Sequence, residues 1–126
     1  GYGVGDNYLV ANELSVALAK LWKGEILTGW ARDYVLWSMT IAVPGQQYSL
    51  GGGVPAEVDL YHKIGLIYEP YNTWNDAGIV VFERNGQTYA YAITYLGSYS
   101  ADWRDAYYNG ADVSAAAWNA FSSAYR

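Results

Sequence analysis

Few residues of this chain are of a type that does chemistry, and the foremost of them is a lysine at the end of a strand. Glu57, Asp59, Tyr61 and Lys63 alternate with Val58, Leu60, His62 and Ile64. That is the period of a β-strand with one polar and one mainly apolar face. Lys63 then stands just before Gly65. By itself such a lysine reads as a solvated residue that keeps an exposed strand edge from aggregating. His62 is the only histidine. Metal sites gather two or more His, Cys or carboxylate ligands, and Glu57, Asp59 and Tyr61 lie on the opposite face. His62 therefore reads as packed beside the sheet and hydrogen-bonded, and no metal or other cofactor is expected. Glu57 and Asp59 share a face, which would allow a carboxylate pair, but a solvated strand face explains them as well.

A self-contained catalytic apparatus is missing. None of the serines has a lysine three residues on, and there is no Ser-Asp-Asn, no Gly-x-Ser-x-Gly and no phosphate loop. Gly1-x-Gly3-x-Gly5 and the Gly51–Gly53 run lack the strand-then-helix setting that a dinucleotide site requires. With 14 Tyr and 6 Trp against 2 Phe, the aromatic residues are mostly of the kind that carries a polar tip, which suits half-buried surfaces and binding faces. A net charge of −5 without any Lys/Arg cluster excludes a nucleic-acid binder, which must neutralise phosphates. The absence of cysteine removes disulfides and thiol chemistry from consideration. No apolar run is long enough to span a bilayer, and no signal peptide is evident. The start at Gly1-Tyr2-Gly3-Val4-Gly5, without methionine, points to a processed or truncated product.

The 126 residues amount to one domain. Residues 1–43 form a helical part, and residues 56–126 a three-stranded sheet with a C-terminal helix. Gly1–Tyr8 reads as a loop. A first helix begins at Ala11, buries Leu14, Leu18 and Leu21 at helical spacing, and stops at Gly24. A second runs from about Gly29 to Ile41, with Thr28 as N-cap and a stripe of Trp30, Tyr34, Trp37 and Ile41. Pro44-Gly45 ends it, and a loop follows to Pro55. The strand that carries Lys63 is followed by a loop from Gly65 to Trp74 that contains Pro70. Asn75-Asp76 then leads into a second strand from Gly78 to Glu83. Asn85-Gly86 predicts a type I′ hairpin, and a third strand covers Thr88 to Leu96. A polar loop through Ser98–Ser100 leads to a last helix over Ala111–Tyr125, whose inner face is Val113, Ala117, Phe121 and Ala124. The class is α+β: an antiparallel sheet of three strands with flanking helices.

At His62-Lys63-Ile64-Gly65, then Asn75-Asp76-Ala77-Gly78-Ile79-Val80-Val81, then Tyr89 to Thr94, the chain resembles the C-terminal half of the penicillin-recognising serine enzymes. Within that superfamily of β-lactamases and D-Ala-D-Ala peptidases it is most similar to the class A β-lactamase-like branch. There a strand ends in Lys-Thr-Gly or Lys-Ser-Gly, an Asn-Asp turn opens the next strand, and a hairpin and a C-terminal helix follow. Upstream, Lys23-Gly24-Glu25-Ile26-Leu27 is similar to the Gly-Glu-Leu-Leu-like end of a family helix. Trp37-Ser38-Met39 is similar to the helix after it, and Gly53-Val54-Pro55 to the Gly-Leu-Pro before the lysine strand. The motifs cover most of the chain, and their order and spacing carry the match. Tyr107-Tyr108-Asn109 has the form of a family Tyr-x-Asn motif but follows the lysine instead of preceding it, so it reads as chance.

The resemblance implies a partial β-lactamase/transpeptidase-like fold. Its lysine strand would be a sheet edge that offers free N–H and C=O groups to an extended substrate. Lys63 would be the catalytic cation that helps hold the substrate carboxylate and supports proton transfer at an adjacent serine. Lys63, Ile64 and Gly65 would line the substrate edge. Ile64 stands where the family has Thr or Ser, and it has no hydroxyl to donate.

The family's first helix, two early strands and Ser-x-x-Lys helix would lie upstream of Gly1. The chain is therefore expected to be the C-terminal fragment of a bacterial serine hydrolase, extracellular or in the cell envelope, acting by acyl transfer on β-lactams or cell-wall peptides. Alone it would be inactive, completed by the missing N-terminal half, in the same or a second chain, or self-associated as a homo-oligomer. The far edge of the third strand would be unpaired, and its tyrosines and the helix faces would leave apolar surface uncovered. The alternative is a non-catalytic, aromatic-rich module of the same fold that binds peptidoglycan or a protein. A third reading is an independent α+β interaction domain that uses Tyr and Trp for glycan or protein contacts.

Overall fold

The structure is a computed structural model, and it describes residues 9–40, 48–67, 72–100 and 102–125. The expected loop Gly1–Tyr8, Ile41, Pro44-Gly45 and Pro70 lie outside the described residues. Helix α1 is Ala11–Trp22 and α2 is Gly29–Ser38; a short 3-10 turn, Ser49–Gly53, follows. Strands β1 (Asp59–Ile67), β2 (Asn72–Arg84) and β3 (Gln87–Ser100) come next, and α3 (Trp103–Ala124) closes the order. The strands form one antiparallel sheet in the order β1-β2-β3.

Helix α1 ends as its sequence predicts. Gly24 takes φ +73°, a conformation that costs glycine little. Its N–H donates to the Leu21 carbonyl at 3.1 Å, and the Glu25 N–H to the Lys20 carbonyl at 2.9 Å. These are the two bonds of a Schellman stop. The hairpin is also as expected: Asn85 at φ +52° and Gly86 at φ +75° supply the two left-handed residues of a type I′ turn. Arg84 and Gln87 pair on either side of it.

Helices cover the sheet on both faces. Leu18 and Leu21 of α1, with Leu36 and Met39 from α2 and its cap, pack on Ile79 and Val81. On the other face, Leu50 of the 3-10 turn joins Val80, Phe82, Tyr91 and Ile93, with Ala117 and Trp118 of α3 against them. This two-sided burial explains why Ile79-Val80-Val81-Phe82 is an unbroken apolar run instead of an alternating one.

Several elements differ from expectation. β1 does not end at Gly65; it runs on to Ile67, pairing Gly65 with Asn75 and Ile67 with Thr73. β2 starts at Asn72, so the expected Asn75-Asp76 lead-in lies inside a strand, and β3 continues through the predicted loop to Ser100. Long pairing partners overrode the local Gly, Asn and Ser signals. Helix α3 starts eight residues earlier than predicted, capped by Asp102, whose carboxylate accepts the Arg104 N–H at 2.9 Å. Gly110 lies inside this helix, where a Cβ would lie 2.4 Å from the Ser49 hydroxyl.

The inner face of α3 is likewise shifted. Ser114 and Ser122 are buried and Val113 and Ala124 exposed, while Ala117 packs against the core as expected and Phe121, though 41% exposed, lays its ring on the sheet. Thr28 occupies the N-cap of α2, but its side chain makes no capping bond, and α2 ends at Ser38, not near Ile41. The stripe of Trp30, Tyr34 and Trp37 faces outward, Trp30 being 82% exposed. Tyr89 and Tyr91 of β3, expected to be bare, are covered: Tyr91 stacks on Phe121 with centroids 4.4 Å apart, and Tyr89 on Tyr125 at 4.1 Å.

Candidate functional site

The outer edge of β1 is open along part of its length, because no strand among the described residues pairs with it. Which backbone groups it offers follows from one bond. The His62 N–H donates to the Met39 carbonyl at 3.2 Å, so His62 turns its amide away from β2. In an antiparallel pair the orientation alternates, so Lys63 and Gly65 bond toward β2 while Ile64 and Leu66 turn their N–H and C=O groups outward. Met39 covers the edge at His62. Two and four residues further on, the outward groups of Ile64 and Leu66 meet no strand among the described residues.

Side chains divide the same way. Lys63 is exposed and shares the face of Tyr61, which packs with the α1–α2 cluster. Its Nζ donates to the neighbouring Ile64 carbonyl, which folds the ammonium back over the edge. Ile64 is half-buried on the opposite face and Gly65 is exposed. A Cβ at Gly65 would meet only the Asn75 Cβ, at 3.9 Å, so the packing of the described residues does not require glycine there. The three residues singled out from sequence thus come together at one open edge. A groove of about 360 Å³ runs beside the earlier part of the same strand, past Val58, Leu60 and His62, with Val54 and Pro55 opposite; Lys63 does not line it.

His62 is packed and hydrogen-bonded, as expected, and it is 2% exposed. Its partner was missed. Nδ1 lies 2.9 and 3.0 Å from the two oxygens of Asp76, a carboxylate with no exposure at all. The signal was in the register: Asp76 has the same parity as Val80 and Phe82 in β2, so extending the strand backward puts it on a buried face. Gly78 opposite His62 makes the approach possible, since a Cβ there would lie 2.6 Å from the His62 Cβ. Among the described residues no group of three or more His, Cys, Asp or Glu could hold a metal, and no helix is long and apolar enough to cross a membrane.

Comparison with known proteins gives these features a setting. The crystal structure of the TLA-1 extended-spectrum β-lactamase matches with a TM-score of 0.73 at 26% identity, over 90% of this chain and 41% of that one. A variant of PBP-A, solved as an acyl-enzyme complex with penicillin G, matches with a TM-score of 0.66 at 28% identity, over 89% and 39%. A β-lactamase from Chitinophaga pinensis matches with a TM-score of 0.66, over 85% and 40%; at 23% identity it speaks for the fold alone. The chain therefore spans about two fifths of the length of these structures. No curated protein sequence matches it. The model of the β-lactamase enzyme family called Beta-lactamase2 matches residues 4–121. With the partial β-lactamase fold and the ordered motifs from α1 to α3, this places the chain in the β-lactamase enzyme family.

Proposed function

We propose that this chain is the C-terminal part of a bacterial serine hydrolase that works by acyl transfer on β-lactams or cell-wall peptides, outside the cytoplasm. The observation that carries the reading is the stretch of β1 whose outer side no described strand pairs, where Lys63 and the outward groups of Ile64 and Leu66 lie together in a chain of this family. An extended, peptide-like substrate can add to that edge as a further strand. Lys63 supplies the cation that meets its carboxylate and supports proton transfer at the serine. Ile64 and Gly65 line the same edge, Gly65 leaving it free of a side chain. The nucleophile comes from a Ser-x-x-Lys segment that these 126 residues do not contain. That segment belongs to the part of the fold that completes this piece, in the same chain or a second one; self-association is the other way its open surfaces would be covered.

The test is labelling of the protein expressed from its own gene with fluorescent penicillin, followed by peptide mapping. The reading predicts one acylated serine, in a Ser-x-x-Lys segment, and none among the serines of residues 1–126. The outward aromatic face of α2 (Trp30, Tyr34 and Trp37) supports the second reading, a non-catalytic module that binds peptidoglycan or a protein. That reading predicts no acylation at all.

A further inference from the structure

The Lys63 side chain is exposed, and among the described residues its hydrogen bond is to the carbonyl of the next residue. Its place must therefore be set by the backbone, and the backbone is fixed one residue earlier. His62 is held at three points. Its N–H donates to the Met39 carbonyl at 3.2 Å, its Cβ lies against Gly78, and its Nδ1 meets the Asp76 carboxylate at 2.9 and 3.0 Å. A carboxylate can only accept, so the hydrogen of that contact sits on Nδ1. Asp76 also accepts the Leu50 N–H at 3.1 Å, and the Leu50 carbonyl accepts the Ser114 O–H at 2.7 Å. The series His62–Asp76–Leu50–Ser114 joins β1, β2, the 3-10 turn and α3 through residues that are all nearly inaccessible.

Such a pair is a costly way to fill a core, because both groups lose water that apolar side chains of similar volume would not need. What it confers is uniqueness of register. If β1 slipped by one residue, every side chain would change face. Lys63 would turn toward α3, and His62 would leave Asp76 buried without its partner. Past His62 no such restraint recurs among the described residues: Ile64 and Leu66 turn their backbone groups to the edge that no described strand pairs, and Gly65 has no side chain to anchor.

We propose that His62, oriented through Nδ1 by Asp76, is the positioning residue of the Lys63 edge: it fixes the register that puts Lys63 on its face of the sheet and the amides of Ile64 and Leu66 on the outside. The proposal rests on the reading of that edge as the substrate edge.

The test uses the protein expressed from its own gene, with His62→Leu, His62→Asn and Asp76→Asn. Imidazole nitrogen NMR should place the hydrogen on Nδ1 in the wild type. In Asp76→Asn, where an amide can donate to Nδ1, the hydrogen should move to Nε2. In His62→Leu the inward amides of Lys63 and Gly65 should exchange at least about 10-fold faster relative to those of Tyr91 and Ile93, because the opening is local. In His62→Asn, whose amide nitrogen takes the place of Nδ1, they should return to within about 3-fold of wild type. The rate of acylation by penicillin should follow the same order. A uniform acceleration across β1 and β3, no recovery in His62→Asn, or a hydrogen that stays on Nδ1 in Asp76→Asn would overturn the proposal. A wild-type protein that penicillin does not acylate would refute the substrate-edge reading instead, while the exchange and imidazole signals would still judge the register clamp.

Discussion

The two ends of β1 are built on opposite plans. From Asp59 to His62 the strand is pressed onto β2 on one side, capped by the Met39 carbonyl on the other, and anchored through the imidazole into a buried polar series. From Lys63 to Ile67 it keeps the pairing to β2, and no strand among the described residues flanks its other side. The first half places polar groups in a site without water; the second leaves polar groups in reach of water or of a ligand. A scaffold that positions a binding edge has this form: rigid up to the last fixed residue and vacant beyond it.

The sharpest way to break the comparison is to place the same methyl group in each half. Gly78→Ala puts a Cβ 2.6 Å from the His62 Cβ and 2.7 Å from the Tyr61 carbonyl, so the strands must part. Denaturant unfolding should show a loss of about 3 kcal/mol. Gly65→Ala meets nothing nearer than 3.9 Å, and its stability should stay within about 0.5 kcal/mol of wild type. If β1 is the substrate edge proposed above, penicillin acylation should nonetheless fall in Gly65→Ala, because the methyl group occupies its open side. Equal losses of stability from the two changes would erase the distinction.

A smaller effect is expected on the α3 face. The Tyr91 hydroxyl is buried and has no hydrogen-bond partner among the described residues. Tyr91→Phe should therefore raise stability by about 1 kcal/mol. Burial pushes the Tyr91 pKa up to about 12 from an ordinary 10.0. Below pH 10 the neutral phenol is shared by the folded and unfolded states. Between pH 10 and 12 only the unfolded chain ionises it, so wild-type stability falls across that window. The alkaline unfolding midpoint of Tyr91→Phe should accordingly lie higher.

The smallest effect belongs to the exposed N-cap of α3. Hydrogen bonds from Arg104 hold the Asp102 carboxyl below its ordinary value of 3.8. A depressed folded pKa means that the stabilisation is present above that value and is lost as pH falls through the folded one. Asp102→Asn keeps an acceptor at the cap. Its melting temperature should change less than that of the wild type on acidification below pH 3.8.

How far the sequence could be read depended on whether a signal was local. The Gly24 stop, the Asn85-Gly86 turn and the inner face of α1 are decided by a few adjacent residues, and they stand where expected. The ends of β1, β2 and β3 are decided by partners across the sheet, so Gly65, Asn75 and Ser98 misled as punctuation. Gly110 answers to a partner that is just as remote: Ser49, 61 positions away in sequence, lies against it. The open edge at Lys63, Ile64 and Gly65 was legible through motif order and strand period. The Asp76 partner of His62 was not, since it depends on pairing His62 with Gly78 and on a β2 longer than its apolar run. The outward turn of Trp30, Tyr34 and Trp37 was also hidden, because a helix with apolar residues on two faces does not say which one meets the core.

If the Lys63–Ile67 half of β1, proposed above as the substrate edge, receives a ligand as a strand would, its outward amides become bonded when the ligand is present. Site-resolved hydrogen exchange on the protein expressed from its own gene, with and without a saturating penicillin, tests it most directly. The amides of Ile64 and Leu66 should become protected when penicillin is bound, while that of His62, already bonded to Met39, should be unchanged. Penicillin bound with no change at Ile64 and Leu66 would contradict it.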